Sequence, residues 1–187
     1  VGALLLEGHV AFDDLDNTLQ LDRQYRFGAG QAGCLSNDKI NALFRDSRER
    51  IWVCTSGGLN LLEAGGNTFR VFRQADGLPS DIIQSIQEDK NGVIWISTQN
   101  GIAMLSPDNN GRMNVQVFDA FDGLQDNFFS NHCAARLPSG MLAFGGANGI
   151  SIFDPAGIRP DSVPPLTRIS DFLLFNHSVP IGKMENG

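Results

Sequence analysis

The chain contains no uninterrupted apolar run of about 18 residues, so no segment of it is long enough to span a bilayer as a helix. Basic residues are in the minority, 14 Lys and Arg against 21 Asp and Glu. That balance argues against nucleic acid as a partner, because a phosphate backbone needs clustered cations. Cysteines are few: Cys34, Cys54 and Cys133 have no metal-ligand spacing. Cys54 reads as a small buried side chain within a strand. A Cys34–Cys133 disulfide stays open, and cysteine usage does not decide the compartment. No close pair of carboxylates is suited to glycoside hydrolysis, and no Arg cluster is aimed at a carboxylate. Asp108-Asn109-Asn110-Gly111 has the composition of a calcium loop but lacks the downstream Glu of the EF-hand spacing. It reads as a hairpin loop, and neither a metal nor a cofactor is expected. Val1-Gly2-Ala3-Leu4-Leu5-Leu6-Glu7 lacks the basic flank and apolar length of a signal peptide and reads as a strand already inside a domain.

What the chain does have is glycine, 21 of them, and an internal repeat. Asp46-Ser47-Arg48-Glu49-Arg50-Ile51-Trp52-Val53-Cys54-Thr55 returns 43 residues later as Asp89-Lys90-Asn91-Gly92-Val93-Ile94-Trp95-Ile96-Ser97-Thr98. Gly58-Leu59 falls on Gly101-Ile102, and Ile40 on Ile83, at the same offset. A weaker third copy, Gly140-Met141-Leu142-Ala143-Phe144-Gly145, lies 48 residues after the second. A period of about 40–50 residues with a Trp in a short apolar run is the signature of β-propeller blades.

The first full copy reads as four short antiparallel strands at 39–44, 51–55, 59–62 and 68–72. The second reads as strands at 82–88, 93–98, 102–106 and 114–119, and the third has only three, at 131–136, 141–145 and 150–154. Arg23-Gln24-Tyr25-Arg26-Phe27 matches the fourth strand of a still earlier copy, and residues 1–7 its third. The second copy gains three residues in the loop around Ser106-Pro107-Asp108, and the third gains two more beside Gln125-Asp126-Asn127. The predicted fold is therefore all-β: four-stranded antiparallel blades forming a partial propeller over 1–157. Its pieces are the end of one blade (1–33), two blades (34–78 and 79–124) and a closing blade (125–157). A proline-punctuated linker follows over 158–165, and a new strand opens at 166. Propellers typically have about four to eight blades, so the chain reads as part of a larger protein. An arc with bare ends is expected to self-associate, as a dimer or higher species.

The Asp of each copy should accept from the backbone two residues on, while Gly92 takes the positive-φ position of the turn. Glu49 stands at that position in the first copy, which predicts a strained turn. Each Trp should pack between neighbouring sheets. Asp46, Asp89, Trp52 and Trp95 thus read as scaffold.

Leu78-Pro79-Ser80 through Asp89-Lys90-Asn91-Gly92-Val93-Ile94-Trp95-Ile96-Ser97-Thr98 resembles the two-component regulator propeller repeat. That repeat usually runs Gly-Leu, an Asn- or Asp-marked strand, Asp-x-x-Gly-x-(Leu/Ile)-Trp-(Ile/Val)-Gly-Thr and a second Gly-Leu. Ser97 and Cys54 stand where it usually has Gly. Gly123-Leu124 through Asp154-Pro155 is similar to the closing blade of such propellers. Residues 166–187 are similar to the start of the triple-tyrosine Ig-like domain, a β-sandwich, that follows it. The resemblance implies an extracytoplasmic, periplasmic sensor region of a membrane-bound regulator, with histidine kinase or diguanylate cyclase activity elsewhere in the parent chain. It also implies sensing of a nutrient, in several cases polysaccharide fragments, with the remaining blades and the Ig-like domain as partners.

A propeller binds at the face where loops of different blades converge. Ser56, Gln99, Asn100, Asn127 and Asn148 fall on those loops, and neutral donors and acceptors of this kind suit sugar hydroxyls. The same residues also serve as turn formers. His132 opens the innermost strand of the last blade and could face the central channel, although it has no carboxylate or second histidine beside it. A non-catalytic ligand-binding sensor module is the leading reading. The alternatives are a carbohydrate-active propeller enzyme (a lyase or glycosidase) and a protein-interaction platform.

Overall fold

Short apolar stretches separated by short turns leave no room for helices, and strands account for nearly all the regular structure among the described residues. The computed structural model describes residues 23–28, 33–62, 66–107 and 112–158, with the backbone of 173–174 and 177–178. The chain divides into two units, Val1–Pro155 and Ala156–Gly187. Helix is limited, among the described residues, to three 3-10 turns of three residues each.

The first unit holds three antiparallel sheets. The first is β1 (Ile40–Arg45), β2 (Ile51–Thr55), β3 (Gly58–Leu62) and β4 (Phe69–Phe72), hydrogen-bonded in chain order. The second repeats this with β5 (Ile83–Glu88), β6 (Ile94–Thr98), β7 (Ile102–Pro107) and β8 (Met113–Phe118). The third has only β9 (Phe129–Arg136), β10 (Leu142–Gly146) and β11 (Gly149–Phe153). The first strands lie together, with β5 against both β1 and β9 and β1 also touching β9. In the second unit β12 (Leu173–Leu174) pairs with β13 (His177–Ser178). The rest of the strand expected from 166 lies outside the described residues, as do 1–22.

Side-chain alternation decides which residues make each inter-sheet core. Trp52, Cys54, Leu59, Leu61 and Phe72 leave the first sheet on one face and meet Ile83, Ile94, Ile96, Ala103 and Leu105 of the second. Val53, Leu62 and Phe69 leave the opposite face and pack with Leu35. Trp95 repeats the role of Trp52 one sheet on. Its ring stacks on Phe118 of its own sheet at 5.7 Å and tilts against Phe153 of the third at 5.2 Å. Both Trp are buried, as expected.

Two sequence expectations need correction. Residues 23–28 form no sheet strand: Phe27 makes a single parallel bridge to Leu35, and Tyr25 packs edge-on against Phe69. A ladder needs a partner strand, and none stands beside these residues among those described. The two extra residues of the third copy also lie elsewhere than beside Gln125-Asp126-Asn127. Asp81 accepts from Gln74 N at 2.8 Å, and Asn127, 46 residues later, accepts from Ala120 N at 2.8 Å, so the two lead-in loops are equivalent through Ile83 and Phe129. The extra length falls inside β9. Ala134 pairs with Phe144 and Phe129 with Gly146, leaving 130–133 opposite Gly145 alone. In the other two sheets the matching bulge holds one residue, Asn41 or Gln84. A bulge absorbs inserted length inside a strand without moving its ends.

Candidate functional site

Each sheet ends in a hairpin turn, and the three turns occupy equivalent places: Ser56-Gly57, Gln99-Asn100 and Ala147-Asn148. A Thr clamps the first two. Thr55 Oγ1 donates to Gly58 O at 2.9 Å and accepts from Gly57 N at 3.0 Å, and Thr98 does the same with Gly101 O and Asn100 N. Each turn also rests on the loop that leads into its own sheet. Ser56 N donates to Lys39 O, Asn100 Nδ2 reaches Pro79 O at 3.4 Å, and Asn148 Nδ2 donates to Asp126 Oδ2. One bond crosses between blades: Gly101 N, of the second, donates to Asn127 O in the loop that leads into the third, at 2.7 Å.

The lead-in loops are closed by their own hydrogen bonds. Asp119 N donates to Asp122 Oδ2 at 2.9 Å while Phe121 N donates to Asp119 Oδ1 at 2.7 Å, and Gly123 closes the turn at φ 99°. Arg73 and Asp76 build the same turn one blade earlier, closed by Gly77. The second loop presents Phe121 at 98% exposure, where the first has Ala75. Sequence reasoning missed this aromatic; the 46-residue match of the two loops was the signal that could have found it.

Ser56, Gln99, Asn100, Asn127 and Asn148 therefore share one end of the sheets, where Gly101 N joins the second blade's turn to Asn127 O of the third blade's lead-in loop. Gln99 and Asn100 are exposed, as is Asn148, while Asn127 and Ser56 are half-buried. The Asn127 amide oxygen is engaged by Ala120 N. His132 stands apart from this group. It sits in the β9 bulge at φ 56°, exposed, and lines a hollow of about 530 Å³ on the outer face of the third sheet. The neighbouring bulge residues Asn41 and Gln84 are buried, and Asn41 Oδ1 and Gln84 Oε1 have no hydrogen-bond partner.

At the opposite end of the sheets the Asp turns carry a second polar concavity, of about 570 Å³. Glu88 accepts from Ser47 N at 2.9 Å and from Ser47 Oγ at 2.7 Å, binding the second sheet to the first turn. Arg136 Nη1 donates to the carbonyls of Glu88 and Asp89, binding the third sheet to the second turn. Arg45, Glu88 and Arg136 are the same position in successive blades, the residue just before the Asp turn or its counterpart. Burial alone would raise the Asp46 carboxyl. Hydrogen bonds from Trp52 and from the Arg50 backbone and guanidinium outweigh it and hold Asp46 below its ordinary value. Burial pushes the Cys54 thiol up, so it is an inert core group. All three cysteines are free. Among the described residues no group of three His, Cys, Asp or Glu side chains could hold a metal ion, and no helix is long and apolar enough to cross a membrane.

Four-stranded antiparallel sheets stacked face to face around their first strands are blades of a β-propeller. Residues 34–57 and 77–100 match the two component regulator propeller family, so both complete blades carry that repeat. The chain is similar to the extracellular domain of a proposed hybrid two component system of B. thetaiotaomicron. The TM-score is 0.68 at 27% identity, over 88% of this chain and 23% of that one. The extracellular domain of a proposed one component system from the same organism shares the fold, with a TM-score of 0.58 at 21% identity over 72% of this chain and 19% of that one. A stretch of 74 residues, 40% of the chain, is 31% identical to Histidine kinase P4 of Formosa agariphila, of which it covers 5%. The chain thus spans about a quarter or less of each relative it matches.

Proposed function

We propose that this chain is part of the periplasmic sensing region of a bacterial two-component receptor, and that it binds a ligand without transforming it. The observation that carries this reading is the pair of regulator propeller repeats inside a fold that is 27% identical to an extracellular two component domain. The ligand is a small polar molecule of the oligosaccharide type, held at the turn end of the blades. Gln99, Asn100 and Asn148 offer exposed neutral donors and acceptors there, and the lead-in loop of the third blade adds the exposed ring of Phe121. The blades divide at 33, 78 and 124 and end at 157. A linker over 158–165 then passes the signal to an Ig-like domain beginning at 166, and the kinase or cyclase output lies further along the parent. Separated from its other blades, the arc self-associates; a stable monomer in sedimentation at tens of micromolar would count against that part of the proposal.

The test is to incubate the receptor's whole extracellular region with an oligosaccharide panel and to follow binding and product formation together. Saturable binding with the sugar recovered intact supports the sensor. Cleavage would instead make the chain part of an enzyme, and no interaction with any sugar would favour a protein-interaction platform.

A further inference from the structure

The lead-in loop of the third blade, 119–128, is hydrogen-bonded to the hairpin turns of two blades. Asn127 O accepts from Gly101 N of the second blade at 2.7 Å, and Phe128 O accepts from Ala147 N of the third at 3.4 Å. Asp126 Oδ2 accepts from Asn148 Nδ2. The same loop presses on Gly146, where a Cβ would strike Phe128 O and Gln125 Nε2. Residues 98–101, 119–128 and 146–149 thereby form one continuous patch at the turn end. Two exposed rings stand on it, Phe121 at 98% and Phe128 at 59%. Phe121 takes the place that Ala75 holds in the preceding lead-in loop, so this ring is particular to the third blade.

Charge in the patch has one sign. Its three segments contain Asp119, Asp122 and Asp126 and no Lys, Arg or His. Backbone bonds fix the three carboxylates in place: Asp119 Oδ1 accepts from Phe121 N, Asp122 Oδ2 from Asp119 N and Asp126 Oδ1 from Asn127 N. Lys39 and Arg73 stand at the first blade's turn instead, where Lys39 O accepts from Ser56 N and Arg73 Nε donates to Gly57 O at 3.1 Å. An anion brought to the patch gives up hydration and meets like charge, with no guanidinium or ammonium to compensate. Unpartnered amides point the same way. Gln84, in the β5 bulge, is 6% exposed and adjoins the Ile83–Thr98 pair at the foot of the 99–100 turn, and its Oε1 has no hydrogen-bond partner. Inside the patch, Gln125 Oε1 and Nε2 are buried and also without partners. A buried amide oxygen calls for a donor. Sugar hydroxyls carry one, whereas ionised carboxylates and sulfates only accept.

We propose that this patch selects saccharides by charge, taking those that bear no acidic group and rejecting uronic and sulfated ones, with Phe121 stacked on the apolar face of a sugar ring. The inference rests on the sensor reading above and adds the chemical class of the ligand to it. Phe121 supplies apolar contact, the hydroxyls supply donors, and the fixed carboxylates set the sign of the discrimination.

The test titrates the receptor's whole extracellular region with neutral gluco-, manno- and galacto-oligosaccharides, oligogalacturonides and sulfated galactan oligomers. Each is paired with a twin of altered charge, made by oxidising primary hydroxyls to carboxylates or by reducing or removing the acid groups. For every pair that binds, the neutral twin is expected to bind about tenfold or more tightly at low ionic strength, with the gap narrowing as salt is added. Phe121→Ala should weaken the neutral twin by about fivefold or more and leave the unfolding midpoint unchanged, because the ring is exposed. The double variant Asp119→Asn, Asp122→Asn keeps an oxygen for each backbone bond while removing two charges. It should bring the acidic twin closer to the neutral one by about threefold or more. An acidic twin bound as tightly as its neutral partner would overturn the proposal and leave the sensor reading standing, as would Phe121→Ala or the Asn variant without effect. Cleavage, or no binding by any member of the panel, would overturn the sensor reading and the proposal together.

Discussion

Asp46 Oδ2 accepts the indole N–H of Trp52 at 2.8 Å, six residues away across the β1–β2 turn. The other oxygen of that carboxylate accepts from Arg48 N and Arg50 N. Asp89 and Trp95 repeat the arrangement at 3.2 Å, with Asn91 N and Val93 N as the backbone donors. One carboxylate thus fixes the turn and satisfies the only polar atom of a Trp that must lie in the inter-sheet core. The third blade shows the dependence in reverse. Leu137 stands at the Asp position and Ala143 at the Trp position, and the turn is held by backbone bonds between Leu137 and Met141 and between Gly140 and Leu137. Where the Trp is gone, the Asp is gone with it.

Asp89→Ala should therefore destabilise by about 2–4 kcal/mol in denaturant unfolding, because it leaves a buried indole N–H without a partner. In a Trp95→Phe background the same substitution should cost about 1–2 kcal/mol less. Equal costs in both backgrounds would mean that the carboxylate serves the turn alone.

Asp46 also gives the chain an acid-sensitive component. Its carboxyl is held below the ordinary value in the folded state, so the stability it contributes is fully present above the unfolded value, about pH 4, and is lost as pH falls through the folded one. The stability gap between the parent chain and Asp46→Asn should be constant from pH 7 to about pH 5 and narrow on further acidification. Urea midpoints across that range provide the measurement.

Trp95→Ala should cost about 3–5 kcal/mol, since the ring is buried and contacts Phe118 and Phe153 on two sheets. A loss below about 1 kcal/mol would contradict its place in the core.

Glu49 sits at φ 63° where Gly92 takes φ 76° in the second blade. Glu49→Gly should relieve the strain and stabilise by about 0.5–1 kcal/mol in thermal unfolding, despite the added freedom of the unfolded chain.

The blades were legible because their signals are local. The Asp turns, the hairpin glycines and the alternation of Trp52 and Trp95 with their neighbours each lie within about ten residues of sequence. The Asp–Trp bond was missed although both residues were singled out, since nothing in a spacing of six says that a side chain will fold back across a turn. The β9 bulge was missed for a related reason. An insertion is visible as length, but whether a turn or a strand absorbs it depends on pairing to a distant strand. Inter-blade ties such as Glu88 to Ser47 span 41 residues and follow from stacking alone. The candidate site was legible only as a set of turns; that Asn127 spends its amide on Ala120 while Phe121 stands free required the fold.

The central claim, that the turn end of these blades binds a ligand without chemistry, is tested most directly by hydrogen exchange on the receptor's whole extracellular region. The exchange is measured with and without a saturating oligosaccharide that binds it, and the sugar is analysed afterwards. The account predicts slowed exchange at 99–101, 120–128 and 147–149 with the sugar recovered unchanged. Protection confined to the Asp-turn end around 45–49 and 88–91, or a cleaved sugar, would contradict it.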